Sequence, residues 1–325
     1  MSGAALQGNR PGVPIWRASL PAILRTHGAI LALAALVLVN LAITPHYATA
    51  DNLWNILLQV STLVLVAIGM TLVLATGGVD LSVGSIMAVS SAVAAASIAR
   101  GAGAAMLVGL VVGAGLGAVN GLLVARSGIP PFIATLALLI TGRGLAQVIS
   151  NEGELVPFTD PAFQSLGRGY VGTVPVQVVI AAVVFGVMLF ATRATSLGRY
   201  LVAVGSNEVA ARLAGVPVVR TKLAAYVLSG LLSGLAGLIE TARLGATDPS
   251  NLGIGMEFNA IAAAAIGGTS LAGGRIPVGG AVIGSLILVV IAGSFNMNMV
   301  PYAWALVVQA AIILMAVSSQ RPGRA

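Results

Sequence analysis

The sequence predicts an all-α integral membrane protein of about ten transmembrane helices, with glycine-rich interruptions and a short helix in a cytoplasmic loop. Hydrophobic residues fill 58% of the 325 positions and charged residues only 8%. A soluble domain carries roughly 25% charged residues, because its surface must be wetted. The 41 glycines suit helices that pack closely in lipid, where small residues form the contact faces. These counts exclude a soluble body of this size.

Ten apolar stretches are long enough to be considered as spans, since a helix needs roughly 20 apolar residues to cross about 30 Å of hydrocarbon. No polar segment between them is long enough to fold separately, so residues 28–318 form one predicted transmembrane domain between tails at 1–27 and 319–325. The candidate spans are residues 28–44, 54–75, 81–99, 104–125, 132–150, 174–192, 222–241, 257–271, 276–294 and 301–318.

The distribution of basic residues predicts the orientation. With the N-terminus inside, twelve of the sixteen basic residues fall in cytoplasmic segments and three in outer segments, while Arg143 lies within a span. Cytoplasmic loops of membrane proteins carry this excess. We therefore expect a multi-pass protein of the bacterial inner membrane with both termini in the cytoplasm. The net charge of +7 then reports orientation, and no nucleic-acid partner is expected.

Two Gly-Gly pairs interrupt the hydrophobic pattern. Gly77-Gly78 and Gly267-Gly268 are each followed three residues later by a leucine that opens another apolar stretch, Leu81 and Leu271. Paired interruptions in corresponding parts of a chain are a sequence pointer to a transport pathway. We expect Asp80 to cap a helix that begins at Leu81, and a role in the pathway is the alternative.

Small residues recur at helical spacing on several predicted spans. Such stripes let helix backbones approach closely, and we expect them to mediate packing within the chain, with a subunit interface as the alternative. The stripes are Gly109-Gly113-Gly117-Gly121, Ser229-Ser233-Gly237 and Gly280-Gly284.

The longest predicted cytoplasmic loop, residues 193–221, contains the signals of a short helix. Asn207 or the preceding serine can cap its start, and Glu208 lies near the positive end of the helix. Gly215 suits a left-handed residue after the last turn, and Pro217 prevents continuation. These signals alone also fit an ordinary linker helix.

Within this loop the pattern Ala210-Ala211-x-x-x-Gly215, which includes Arg212, resembles the coupling motif of ABC importer permeases, with the acid Glu208 one position earlier than usual. Further motifs resemble the ribose-type branch of that family, which handles mostly monosaccharides, and residues 141–147 (TGRGLAQ) look most like galactofuranose-type permeases. The resemblance covers residues 53–317. The ribose-type motifs are residues 76–85 (TGGVDLSVGS), 132–136 (FIATL), 203–205 (AVG), 228–230 (LSG) and 266–274 (IGGTSLAGG).

The resemblance implies a permease subunit that moves a monosaccharide, such as ribose or galactofuranose, by alternating access. It implies three protein partners: an ABC-type ATPase subunit, a periplasmic sugar-binding protein and a second permease copy or paralogue. The ATPase would contact the loop through Asn207, Glu208, Ala210, Ala211, Arg212 and Gly215. The outer loop at residues 151–173 is a candidate docking surface for the binding protein. No cofactor or metal is implied.

The chain has no ATPase site of its own. Its only lysine, Lys222, has no glycine-rich phosphate loop before it, and no hydrolase or metalloprotease motif is present. We therefore expect no enzyme activity. An ion-coupled secondary transporter is the alternative, and such carriers place carboxylates or histidines in mid-membrane. Only Asp80 and Glu240 are acids close to spans, and we expect neither to have a basic partner.

Polar and aromatic side chains within spans are the candidate contacts for a sugar, which needs hydrogen-bonding groups and weak binding for release. The alternative for the amides is hydrogen bonding between helices, and for tryptophan it is anchoring at the membrane interface. The candidates are Trp54, Gln59, Asp80, Asn120, Gln147, Asn259, Asn296 and Gln309.

Overall fold

The computed structural model describes the chain over residues 20–319, and within that range it forms thirteen α-helices and two small β-ladders. The predicted tails lie largely outside this range, although α1 already begins at Leu20. The helices are α1 Leu20–Ile43, α2 Ala50–Ala75, α3 Val83–Ser97, α4 Ala102–Ala125, α5 Pro131–Ile149, α6 Pro161–Arg168, α7 Val176–Ala194, α8 Ser196–Ser206, α9 Glu208–Leu213, α10 Val218–Leu244, α11 Met256–Ile266, α12 Val278–Met297 and α13 Tyr302–Ser319.

Seven helical segments are long and apolar enough to cross a membrane, counting described residues only. An all-α membrane protein is thereby supported, while the number ten stays a prediction. At the other three predicted positions the described apolar helices are shorter, at Gly28–Ile43, Met256–Ile266 and Ala303–Ile312. The seven are Ala50–Ala75, Val83–Arg100, Ala102–Ala125, Pro131–Ile149, Val176–Ala194, Val218–Leu244 and Val278–Met297.

Helices α2 and α10 form the centre of the bundle. All side chains of α2 from Val60 to its last residue are buried, and Leu65, Ile68 and Met70 are completely enclosed. Helix α10 lies against α2, α3, α4, α6 and α8. The outer helices α5 and α7 have few buried side chains, as expected for surfaces that face lipid.

Close backbone contact joins α4 to α10. A Cβ atom added at Gly117 would lie 2.2 Å from the Tyr226 carbonyl oxygen, and one at Gly113 would lie 2.7 Å from the Gly230 carbonyl oxygen. A side chain does not fit at either position. The predicted packing within the chain is confirmed for this stripe, and α12 uses the same contact where Gly284 meets Ala263 of α11.

Both Gly-Gly pairs end helices, but with different geometry. Gly77, the first residue of its pair, has φ +78°, whereas in the second pair Gly268 has φ +90°. A Cβ at Gly267 would lie 2.2 Å from the Gly280 carbonyl carbon, so α12 packs directly against the end of α11 and leaves no room for a side chain there. The predicted span 257–271 is therefore too long, because α11 ends at Ile266.

A small cap covers one end of the bundle, called here the α6 end. Strand β1 (Val156–Pro157) pairs antiparallel with β4 (Ala246–Thr247), and β2 (Tyr170–Val171) pairs with β3 (Val174–Pro175). The Arg168 guanidinium donates to the carbonyl oxygens of Arg243 and Leu244, both at 2.8 Å, and so binds the last turn of α10. Helices α8 and α9 lie beyond the other end of α7, called the α9 end.

Gly117→Ala is predicted to destabilise the bundle by about 1–3 kcal/mol, the usual cost of forcing extra carbon into a packed site. Gly115→Ala in the same helix is the matched control, because no atom lies within 4 Å of its added Cβ. Thermal unfolding of the purified protein in detergent would measure both variants. Equal unfolding temperatures would contradict the tight α4–α10 contact.

Candidate functional site

A buried polar network surrounds Asp80 inside the bundle. Its Oδ1 accepts hydrogen bonds from the Ser82 backbone N–H at 3.0 Å and the Ser82 hydroxyl at 2.6 Å. Its Oδ2 accepts from the Ser229 hydroxyl at 2.9 Å, near the middle of α10. Asn120 of α4 donates to Ser82 at 2.8 Å, so the network joins α4 and α10 through the first interruption.

The predicted capping role of Asp80 is wrong in its detail. Helix α3 begins at Val83, with Ser82 in the capping position and no side-chain capping bond. Asp80 instead holds the interruption against α10 through the hydrogen bond that Ser229 donates to its Oδ2. Tyr226 adds to this by donating to the Val79 carbonyl at 3.3 Å. The interruption is thus part of the bundle interior.

Arg143 ties α5 to the segment that connects α10 and α11. Its Nη1 donates to the carbonyl oxygens of Pro249 at 2.9 Å and Leu252 at 2.8 Å. Glu257, in the first turn of α11, is only 8% exposed and lies against Gly84 of α3. The sequence leaves the role of Arg143 open, and the structure gives it two backbone acceptors.

A cavity of about 350 Å³ opens at the α6 end between α2, α10, α11 and the connecting segment. Its volume falls in the range of roughly 300–1,000 Å³ that is usual for small-molecule pockets. Two predicted pathway residues, Gln59 and Asn259, line it. The cavity's other polar side chains are those of Thr62, Glu240, Arg243, Asp248 and Asn251.

Glu240 and Arg243 form an ion pair at this cavity, one turn apart on α10. The expectation that Glu240 has no basic partner is therefore wrong. The spacing of three residues on a helix places the two side chains side by side, and this spacing is visible in the sequence. Together with Asp248 and Asn251, the pair gives the cavity several charged and amide groups.

The remaining predicted pathway residues do not line this cavity. Asp80 and Asn120 belong to the buried network, and Gln147 and Trp54 are half-buried. Asn296 is exposed near the end of α12, and Gln309 is buried on α13. The eight candidates are thus not brought together at one place. Among the described residues, no group of three His, Cys, Asp or Glu side chains could hold a metal ion.

At the α9 end, residues 207–215 have the local structure that their sequence predicts. The Asn207 side chain accepts from the Ala210 N–H at 2.9 Å and caps α9, while Gly215 has φ +80° after the last turn. Ala211 is buried against Val204 and Val218, which fixes α9 to α8 and α10.

Two ion pairs of Glu208 also stabilise α9. The Glu208 carboxylate contacts Lys222 at 2.6 Å and Arg212 at 3.1 Å. The hydrogen bond from Lys222 lowers the pKa of Glu208 below its usual value, with Arg212 adding to the effect and partial burial opposing it. Glu208 is therefore ionised near neutral pH and holds α9 against Lys222, near the start of α10.

Two apolar side chains of α9 that the sequence interpretation did not select point away from the protein. Leu213 is 85% exposed and Val209 is 70% exposed, four residues apart on one helical face. The signal that identifies them is available in the sequence: two large apolar residues four positions apart on one short predicted helix. Ala211, by contrast, contacts its own chain and is buried.

Ser229→Ala is predicted to destabilise the fold by about 1–3 kcal/mol, because it leaves a buried acceptor of Asp80 without its donor. Ser233→Ala is the matched control on the same helix, since the Ser233 hydroxyl is buried without a hydrogen-bond partner in the described part of the chain. Unfolding midpoints in detergent compare the two. A larger loss of stability from Ser233→Ala than from Ser229→Ala would contradict the proposed contribution of the network to stability.

Comparison with known proteins identifies the family to which this chain belongs. The profile of the family described as "Branched-chain amino acid transport system / permease component" matches residues 52–317. The ribose import permease protein RbsC of Escherichia coli (strain K12) is 41% identical over 294 residues, 89% of this chain and 91% of that protein.

Two further Escherichia coli (strain K12) proteins are similar. The galactofuranose transporter permease protein YtfT is 37% identical over 90% of this chain and 89% of its own length. The D-allose transport system permease protein AlsC is 37% identical over 91% of each chain. No solved structure matches this chain. Because the profile matches far more than half of the sequence, the chain belongs to the permease-component family of the branched-chain amino acid transport system.

Proposed function

We propose that this chain is the membrane-spanning permease subunit of an ABC importer and that its cargo is a monosaccharide. The observation that carries the proposal is the 41% identity to a ribose import permease over 89% of the chain. The family description names branched-chain amino acids, but the relatives described above are permeases for ribose, galactofuranose and allose. A sugar is therefore the favoured cargo class.

Energy for transport comes from a separate ABC-type ATPase subunit, and a periplasmic binding protein delivers the sugar. The chain itself has no phosphate-binding loop. A second copy of this chain or a paralogue completes the channel. In this arrangement the α9 end faces the cytoplasm and the α6 end faces the periplasm, as the distribution of basic residues favours.

The ATPase subunit binds α9 at the exposed apolar face of this helix. No residue in the described range 20–319 covers Leu213 or Val209, whereas Ala211 and Glu208 hold the helix in place from the other side. An apolar helix face that a partner groove covers is a common recognition mode. Asn207, Ala210, Arg212 and Gly215 complete the contact segment.

The sugar enters through the 350 Å³ cavity at the α6 end. Carboxylate, guanidinium and amide groups hydrogen-bond to hydroxyl groups, and they are the groups that line it. A permease needs only weak contacts here, because tight binding would slow release.

The proposed cargo class is tested by reconstituting the chain with its ATPase subunit and binding protein in vesicles. ATP-dependent uptake of D-ribose, D-allose and L-leucine is then compared. We expect uptake of a sugar and none of L-leucine. Uptake of L-leucine alone would contradict the proposal, and uptake driven by a proton gradient without ATP would favour the ion-coupled alternative.

Leu213→Asp is predicted to abolish co-purification of the ATPase subunit and to stop transport. Because the side chain is 85% exposed, the variant should insert and fold normally. Leu155→Asp, an exposed leucine at the α6 end, is the control and should keep the ATPase subunit bound. Normal binding of the ATPase subunit to the Leu213→Asp variant would contradict the assignment of α9 to the interface.

Gln59→Leu and Asn259→Leu are each predicted to lower the initial uptake rate by roughly two- to tenfold, as the loss of one hydrogen bond implies. Asn296→Leu is the control, because this amide does not line the cavity. The measurement is initial uptake of the transported sugar by the full complex. An effect of Asn296→Leu alone would place the pathway elsewhere.

A further inference from the structure

Three segments that are distant in sequence meet through their backbones close to α9. They are the end of α2 with the first interruption, the end of α8, and the segment after α11 that contains the second interruption. Only Asn207 separates the last residue of α8 from the first residue of α9. The contact therefore lies directly behind the helix that we assign to the ATPase interface.

Gly205 of α8 lies at the centre of this contact. A Cβ atom at this position would lie 1.9 Å from the Ala75 carbonyl oxygen of α2 and 2.6 Å from the Gly274 backbone nitrogen. Non-bonded heavy atoms pack best at about 3.5–4.0 Å. Any side chain here would force both neighbouring segments away from α8.

The two interruptions also touch each other at this place. The Gly274 N–H donates to the Ala75 carbonyl at 3.0 Å, which joins the second interruption to the end of α2. A Cβ at Gly273 would lie 2.8 Å from the Gly205 carbonyl oxygen and 3.0 Å from the Gly77 nitrogen. Gly77, Gly273 and Gly274 all have positive φ angles, which L side chains rarely adopt.

We propose that Gly77, Gly205, Gly273 and Gly274, named here the glycine junction, are positioning residues that carry the displacement of α9 into both interruptions at once. This proposal rests on the proposed function, since it assigns the route by which the ATPase subunit moves the transmembrane body. Backbones in direct contact leave no flexible side chain to absorb the motion, so the three segments move as one unit.

The route continues into the bundle through bonds already described. The first interruption reaches α10 and α4 through Asp80, Ser229 and Asn120. The second reaches α12 where Gly267 meets Gly280. Displacement of the junction thus acts on helices that line or support the cavity at the α6 end.

Gly205→Ala is the direct test, made in the complete complex with the ATPase subunit and binding protein, with D-ribose as the probe sugar. We expect ATP hydrolysis to persist while sugar moved per ATP falls roughly fivefold or more, the lower range of coupling between sites. Gly279→Ala is the matched control beside the second interruption, because no atom lies within 4 Å of its added Cβ. Unchanged coupling in Gly205→Ala would overturn the proposal.

Hydrogen exchange of the purified permease alone tests the junction without any transport assay. Gly205→Ala should raise amide exchange in both residues 76–82 and residues 267–277, whereas Gly279→Ala should leave the first of these segments unchanged. Increased exchange confined to α8 would show that the segments are not joined, and the proposal would fail even if sugar transport were established. Failure of the unaltered complex to transport sugar would instead count against the proposed function.

Discussion

Direct contact between helix backbones is the constraint on which this structure depends. Lipid chains are as apolar as leucine, so helices in a membrane gain little from burying apolar surface and associate through close packing instead. Gly117 against Tyr226, Gly284 against Ala263 and Gly205 against Ala75 are such contacts. The first two hold the bundle together, and the third joins it to the segment that carries α9.

The charged groups buried within the bundle are held by hydrogen bonds to nearby donors and acceptors, because an unpaired polar group in an apolar interior costs several kcal/mol. Asp80 uses both carboxylate oxygens to hold the first interruption on α10, and Arg143 uses one nitrogen to hold two carbonyls of the segment after α10. These residues position backbone and do not line the cavity. The cavity is lined by another set of polar side chains, from α2, α10, α11 and the segment between α10 and α11.

Composition and hydrophobic runs predicted the membrane class, and each predicted span overlaps a helix. The membrane class and the helix positions were predictable because both depend on properties of the local sequence. The cap by Asn207 and the turn at Gly215 were predictable for the same reason. The length of α11 was not, since the helix ends where Gly267 meets Gly280, a contact set by folding. The predicted pathway residues are scattered in the structure, because the sequence does not distinguish a polar residue that faces a cavity from one that faces a neighbouring helix. The Glu240–Arg243 pair and the exposed Leu213 and Val209 could have been read from helical spacing.

In the proposed function, this chain supplies no energy for transport, and ATP hydrolysis by a partner subunit drives its conformational change. The most direct measurement is uphill accumulation of the transported sugar in vesicles that contain the chain alone, compared with vesicles that also contain the ATPase subunit, the binding protein and Mg-ATP. We expect no accumulation by the chain alone, even under an imposed proton gradient, and accumulation only when the partner hydrolyses ATP. Concentrative uptake by the chain alone would contradict it.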